Sequence, residues 1–165
     1  HNTGVYNGIW TDMAIETTFM RYGHGQSGII GITLRPETVK IMSNLLPAHG
    51  LSGCDTVARY FGIGKGTVLK VLKSQKHNLD AVGNVDNTLA DVLVQATGFM
   101  LSCYNQPKCK SMTEARQKMW ANKVSRSIGA APKLASLPPT TEAFMENVAR
   151  AHLQVSIWRQ AGEAS

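Results

Sequence analysis

The sequence predicts a mostly α-helical fold with a small β portion at its N-terminus and a helix-hairpin-helix in its middle. Three observations carry that prediction. Before residue 35, short β-prone runs are separated by glycines. After Pro36, apolar residues recur at spacings of three and four, as the buried faces of helices do. Between Leu45 and Lys73 the chain reads LLPAHGLSGCDTVARYFGIGKGTVLKVLK, where glycines interrupt and restart helical pattern.

Residues 5–34 read as extended. Ile9 and Trp10 open a first strand, Thr17 to Tyr22 form a second and Ile29 to Ile32 a third. A hairpin across 23–28, punctuated by Gly23, Gly25 and Gly28, is the simplest connection, with His24 exposed in its loop. Pro36 and Glu37 suit the first turn of a helix, and Val39, Met42, Leu45 and Leu46 continue it. The apolar run ends at Pro47, with Gly50 and Gly53 as breaks. A short helix is expected over 54–61, with Asp55 at its start. Gly62-Ile63-Gly64 interrupts it, and another helix is expected over 65–76.

LDAVGNVDN, residues 79–87, reads as a loop. Leu89, Val92, Leu93, Ala96, Met100 and Cys103 then mark a buried helix over about 87–104, which Gln106-Pro107 ends. Ser111 and Glu114 have the spacing of a capping box, and the helix behind it carries Met119 and Trp120. SIGAAPKLASLPPT, residues 127–140, is a connector. The last helix starts near Thr141. Its stripe of Phe144, Val148, Ala151, Val155 and Trp158 reads as core, with Trp158 anchoring the tail.

The chain has 165 residues, 43% of them hydrophobic and 17% charged, which is one domain's length with a sizeable core. No apolar run approaches the ~20 residues of a membrane span. The opening HNTGVYNGIW has neither the charged and apolar regions of a signal peptide nor an initiator Met, so a fragment of a longer protein is expected. Cys54, Cys103 and Cys109 fit no disulfide scaffold and no C-x-x-C zinc pair, and read as reduced thiols of an intracellular protein. A mixed metal site of Cys103, Cys109 and a histidine is the weaker alternative.

The net charge of +6 favours an anionic partner. From Arg59 to Lys76 the chain holds Arg59, Lys65, Lys70, Lys73 and Lys76 and no acid. Lys70 and Lys73 share a helix face. A glycine hairpin feeding a helix N-terminus presents backbone N–H groups that can hold a phosphate. The hairpin Gly62, Ile63 and Gly64 with Lys65, Lys70 and Lys73 is therefore the candidate nucleic-acid contact. The competing reading is a solvated basic helix after an ordinary turn. Gly64-Lys65-Gly66-Thr67 matches only part of a phosphate loop, without its upstream glycine and strand.

GCDTVARYFGIGKGTVLKVL resembles the helix-hairpin-helix segment of flap-endonuclease-like (PIN-like) nucleases. Gly53, Asp55, Gly62, Ile63 and Gly64 stand at matching positions. HGLSGCDTVARYFGIGKG also resembles a group of mobile-element-associated invertebrate proteins, on His49, Gly53, Cys54, Asp55, Thr56, Phe61, Gly62, Gly64 and Lys65. Blocks around Tyr104, Leu137-Pro138-Pro139 and Trp158 extend that likeness over roughly 10–160. The resemblance implies an α/β PIN-like fragment: residues 1–35 as the β-rich edge of the core, 36–78 as the Gly-x-Asp turn and helix-hairpin-helix, and 79–165 as a helical extension. It implies DNA, or RNA, as partner, a nuclear location, Mg²⁺ or Mn²⁺ held in part by Asp55 in the complete protein, and K⁺ at the hairpin.

Two-metal phosphodiester cleavage needs several carboxylates gathered at the ions. The chain's 11 acids are scattered, with no Asp-x-Asp pair. The resemblance supports one metal carboxylate, Asp55, and leaves the others to strands at or before the start of this chain. Asp55 also suits a helix cap, worth ~1 kcal/mol. Asp12 reads as a surface residue, and His49 as a buried, hydrogen-bonded one. Two functions therefore compete. One is a nuclease fragment that binds the DNA backbone and contributes Asp55, inactive in isolation. The other is a non-catalytic nucleic-acid-binding or interaction module derived from a mobile element.

Overall fold

A computed structural model describes residues 35–163. The strands expected over 5–34, with Asp12 and His24, lie outside the described residues. Among the described residues five α-helices follow one another: α1 (Pro36–Ser52), α2 (Lys65–Lys73), α3 (Leu89–Cys103), α4 (Met112–Arg126) and α5 (Thr141–Glu163), with a 3-10 turn at Leu134–Ser136. Helix α5 is the hub, packing on α1, α3 and α4, while α2 sits on α1 and α3. The described part is thus mostly helical, as expected.

Helices α3 and α4 start where their caps place them. Thr88 Oγ1 accepts from the Asp91 N–H at 3.2 Å and donates to the Asp91 carboxylate at 2.9 Å. Ser111 accepts from the Glu114 N–H at 3.1 Å, and the Glu114 carboxylate reaches back to the Lys110 N–H at 2.7 Å. Each arrangement satisfies N–H groups that a helix start leaves orphaned. The stripe of Phe144, Val148, Ala151 and Val155 is fully buried, and Trp158 packs against the same core.

Three expectations are corrected. First, α1 does not stop at Pro47 or Gly50 but runs through both to Ser52. Gly50 is a packing residue: a Cβ there would lie 2.5 Å from Val155 Cγ2 of α5. Burial of residues 47–51 offsets the proline's missing N–H. Second, there is no helix over 54–61. Cys54 and Val57 exchange both backbone hydrogen bonds, at 3.0 and 3.3 Å, around Asp55-Thr56, two residue types that favour turns. Buried Val57 and Tyr60 have helical spacing, yet reach the core from an extended segment. Third, α2 ends at Lys73, because Gln75 takes a left-handed φ of 55°. The Gln75 carbonyl then accepts from Lys40 Nζ of α1 at 3.0 Å.

The loop over 79–87 is part of the core, with Leu79, Ala81 and Val82 fully buried. Its backbone polar groups are met from three helices. Asn44 of α1 accepts from the Leu79 N–H at 3.1 Å and donates to the His77 carbonyl at 3.2 Å. Gln95 of α3 accepts from the Ala81 N–H at 2.9 Å, and His152 Nδ1 of α5 accepts from the Gly83 N–H at 2.9 Å. These contacts remove the cost of burying unpaired amides. Cys54, Cys103 and Cys109 form no disulfide here, and burial pushes the Cys103 thiol up to about 12.

Gly83 has a φ of +83°, and a Cβ on it would lie 2.8 Å from Val155 Cβ and 3.1 Å from its carbonyl carbon. Gly83→Ala is expected to cost about 2–4 kcal/mol, combining backbone strain with overpacking. Gly62→Ala, at a φ of +76° with nothing within 4 Å of the new Cβ, is expected to cost only about 1 kcal/mol. Urea midpoints of the two variants check the difference, and equal losses would remove the argument from packing.

A second expectation concerns pH. His152 is held below the ordinary histidine range by burial and then by Arg159, and His77 by burial and then by Lys76. Both folded values lie below the unfolded value of about 6.5. The unfolded chain therefore binds more protons, and stability present above about pH 6.5 is lost as the pH falls through the folded values. Thermal unfolding between pH 8 and 5 should show this fall. His152→Gln, which can still accept from Gly83 but does not titrate, should remove its share and make the fall shallower.

Candidate nucleic-acid interface

The interface is built where the chain folds back on the end of α1. Gly53 has a φ of +112°, and a Cβ there would lie 2.7 Å from Arg59 Cα and 3.0 Å from Arg59 N. Only glycine lets the segment after the Cys54–Val57 turn return so closely. Two contacts to α5 hold that segment: Thr56 Oγ1 donates to Gln154 Oε1 at 2.7 Å, and Asn147 Nδ2 donates to the Ala58 carbonyl at 3.3 Å. Tyr60 then packs on Tyr104 and Phe144, at ring separations of 6.5 and 6.1 Å. Burial pushes its phenol up to about 12, with Asn147 hydrogen-bonded to it.

The next turn is the glycine hairpin. The Ile63 N–H bonds the Tyr60 carbonyl at 3.2 Å, with Phe61 and Gly62 between them. The positive φ of Gly62 is that of the third residue of a type II turn. Gly64 is the N-cap of α2. A Cβ on Gly64 or Gly66 would meet nothing within 4 Å, so neither glycine is needed for internal packing. Both face open space at the head of the helix. Phe61, beside the turn, is 63% exposed.

The start of α2 departs from what stability favours. Its N-cap makes no side-chain hydrogen bond, its first turn has no acid, and Lys65 occupies the first helical position. A cation there opposes the helix dipole. Val68, Val71 and Leu72 are buried, while Gly66, Lys70 and Lys73 form an exposed stripe at spacings of four and three.

Gly62, Ile63, Gly64 and Lys65 thus come together at the hairpin. Lys70 and Lys73 lie at the opposite end of the helix, roughly 8–12 Å along its axis. Asp55 is exposed at the Cys54–Val57 turn, so it is not a helix cap.

Two residues outside the sequence-derived interface join it. His49, on the last turn of α1, and Arg59 line a cleft with Ser52, Gly53, Ile63, Gly64 and Lys65, enclosing about 90 Å³. His49 is buried and stacks on Trp158 of α5, with 5.5 Å between ring centroids and 14° between planes. Burial, then the charges of Lys65 and Arg59, lower its pKa, and Asp55 opposes them. Arg59 already stood in the basic run of the sequence. Its closeness to His49 depends on the fold-back at Gly53, which carries no periodic signal.

The described residues do not by themselves fit a divalent cation. Among them no three His, Cys, Asp or Glu side chains converge, Cys103 and Cys109 included. Asp55 shares the surroundings of His49 with two cations. At the hairpin, exposed lysines stand beside open backbone at a helix start. Comparison with protein-family models, curated proteins and solved structures finds no match.

Proposed function

We propose that this chain is the backbone-binding part of a metal-dependent, flap-endonuclease-like nuclease, and that Asp55 is one of the metal carboxylates of the complete protein. The observation that carries the binding half is the hairpin. A turn at Gly62 leads into a helix start where Gly64 and Gly66 leave the backbone open and Lys65 stands exposed. Duplex DNA is the preferred partner, since a duplex presents phosphates at regular spacing to the hairpin and to Lys70 and Lys73; RNA is the alternative. Mg²⁺ or Mn²⁺ would supply the hydrolytic water when bound, and its other carboxylates come from residues outside those described. K⁺ at the hairpin belongs to the same reading.

A second reading, a non-catalytic nucleic-acid-binding module, rests on the same open hairpin and leaves Asp55 as a turn residue. The two readings share the contact surface and differ only in cleavage.

Binding to duplex DNA should be weak, indifferent to sequence and steeply salt-dependent, with a slope near −0.9 per phosphate neutralised. Fluorescence anisotropy across a salt series measures it, and binding that is absent at low salt or flat with salt sinks the proposal. Gly64→Val should weaken binding far more than Lys118→Ala on α4, because valine blocks backbone approach at an open helix start. Lys118 is the suitable control because Lys123, on the same helix, donates to Ser136 Oγ at 2.6 Å and so has a structural contact to lose.

Cleavage separates the two readings. This chain alone should leave DNA intact, whereas a form extended at its N-terminus should cleave with Mg²⁺ or Mn²⁺. In that form, Asp55→Asn should nearly abolish cleavage and leave binding close to normal, since the amide keeps the shape and loses the charge that attracts the cation. Full cleavage by the variant in a gel assay would leave Asp55 as a turn residue only.

A further inference from the structure

We propose that the second half of α4 and the connector behind it form a docking surface for an acidic, amphipathic peptide segment of a partner protein. The surface uses none of the hairpin residues, and the proposal does not rest on the nucleic-acid reading. Two properties coincide in this one stretch: an apolar strip that the fold does not bury, and a run of cations with no acid among them.

Helix α4 buries Met112 and Ala115 at its start and no residue after them. From Arg116 to Ser136 nothing is buried. A surface helix ordinarily turns its apolar residues towards the core. Here Trp120 and Val124, one turn apart on one face, are exposed. So are Ile128, just past the helix end, and Leu134 in the connector. Single apolar residues on a surface need no explanation, but four large ones gathered on a stretch that buries none mark an interaction site.

Two internal contacts gather the strip on one side. Lys123 Nζ donates to Ser136 Oγ at 2.6 Å, and Arg116 Nη1 donates to the Pro138 carbonyl at 2.6 Å. The connector therefore runs back along α4 on the face of Arg116 and Lys123. Trp120, four residues after the first and three before the second, borders that face. The tether at Ser136 brings Leu134, two residues earlier, to the last turns of the helix.

Charge identifies the occupant. Between Glu114 and Glu142 the chain holds Arg116, Lys118, Lys123, Arg126 and Lys133 and no acid. Arg116 and Lys123 have the connector as partner. Lys118, Arg126 and Lys133 are exposed, and among the described residues none of the three makes a side-chain hydrogen bond or ion pair. A nucleic acid would meet these cations but has no use for Val124, Ile128 and Leu134, which offer neither a donor to a phosphate nor a plane to a base. A second copy docked face to face would set the cations against their own counterparts. A peptide with apolar side chains and acids at their edges suits both properties. Its apolar side leaves water against Trp120 and Val124, and its carboxylates pair with the flanking cations.

The test selects ligands against the full chain. A displayed library of random short peptides is enriched on it, and the selected peptides are synthesised, labelled and measured by fluorescence anisotropy. They should carry Asp or Glu beside Leu, Ile, Phe or Met, and their affinity should fall as salt rises. Trp120→Ala should weaken binding by about tenfold or more. Lys118→Glu combined with Arg126→Glu, at two exposed positions, should weaken it to a similar degree and remove most of the salt dependence. Circular dichroism establishes that both variants are folded.

No enrichment, selected peptides without an acidic bias, or equal binding by the two folded variants would overturn the proposal. Three further results would overturn it by giving the strip to another occupant. Loss of DNA binding in Trp120→Ala would assign it to nucleic acid. A dimer in sedimentation that Trp120→Ala dissolves would assign it to a second copy. Binding to phosphatidylserine vesicles that Trp120→Ala abolishes would assign it to a membrane surface.

Discussion

The seating of Val155 against two glycines governs the arrangement of this protein. Gly50 of α1 and Gly83 of the 79–87 loop both leave their Cβ space to that one side chain. A slip of α5 by one residue would turn its contacts by about 100° and bring a different side chain against each glycine. With Val155 in place, the rest of α5 falls into register. Trp158, three residues on, stacks on His49. Gln154 meets Thr56, and Asn147 meets the Ala58 carbonyl. His152 accepts from Gly83 itself. A single helix therefore orients the end of α1, the fold-back after Gly53 and the buried loop, and the cleft lies where these meet α2.

This dependence explains what was legible in the sequence. Helices α3, α4 and α5 could be read because local signals agreed: a capping box at Ser111 and Glu114, and apolar spacing from Leu89 to Cys103 and from Phe144 to Trp158. Gly50 resembles a breaker in the sequence, whereas its reason is tertiary. Nothing near it in the chain signals that Val155, more than a hundred residues later, needs its space. The segment 54–61 resembles a helix in the sequence because Val57 and Tyr60 imitate a helix face. The paired backbone bonds of Cys54 and Val57 and the pull of the α5 contacts outweigh that spacing. The turn at Gly62 and the helix start at Lys65 were legible, since both are local. The approach of Arg59 to His49 was not, because it follows from the φ of Gly53 and the close return of the chain.

The lysines of α2 separate on physical grounds. Lys70 and Lys73 occupy its last turn, where a cation gains about 0.3–1 kcal/mol from the helix dipole, so their presence is accounted for without a ligand. Lys65 has the opposite placement. At the first position of the helix it meets the positive end of the dipole, behind a glycine cap that makes no side-chain bond. Helices α3 and α4 show what stability alone selects, with Thr88 and Asp91 in one and Ser111 and Glu114 in the other. Gly64 and Gly66, on either side of Lys65, have no packing reason to lack a side chain. A start with a cation at the positive end of the dipole and an unsubstituted glycine in its first turn gives up stability at both choices. An anion at that point turns each cost into a gain, because the dipole, the amine and the open backbone then act on it in the same direction.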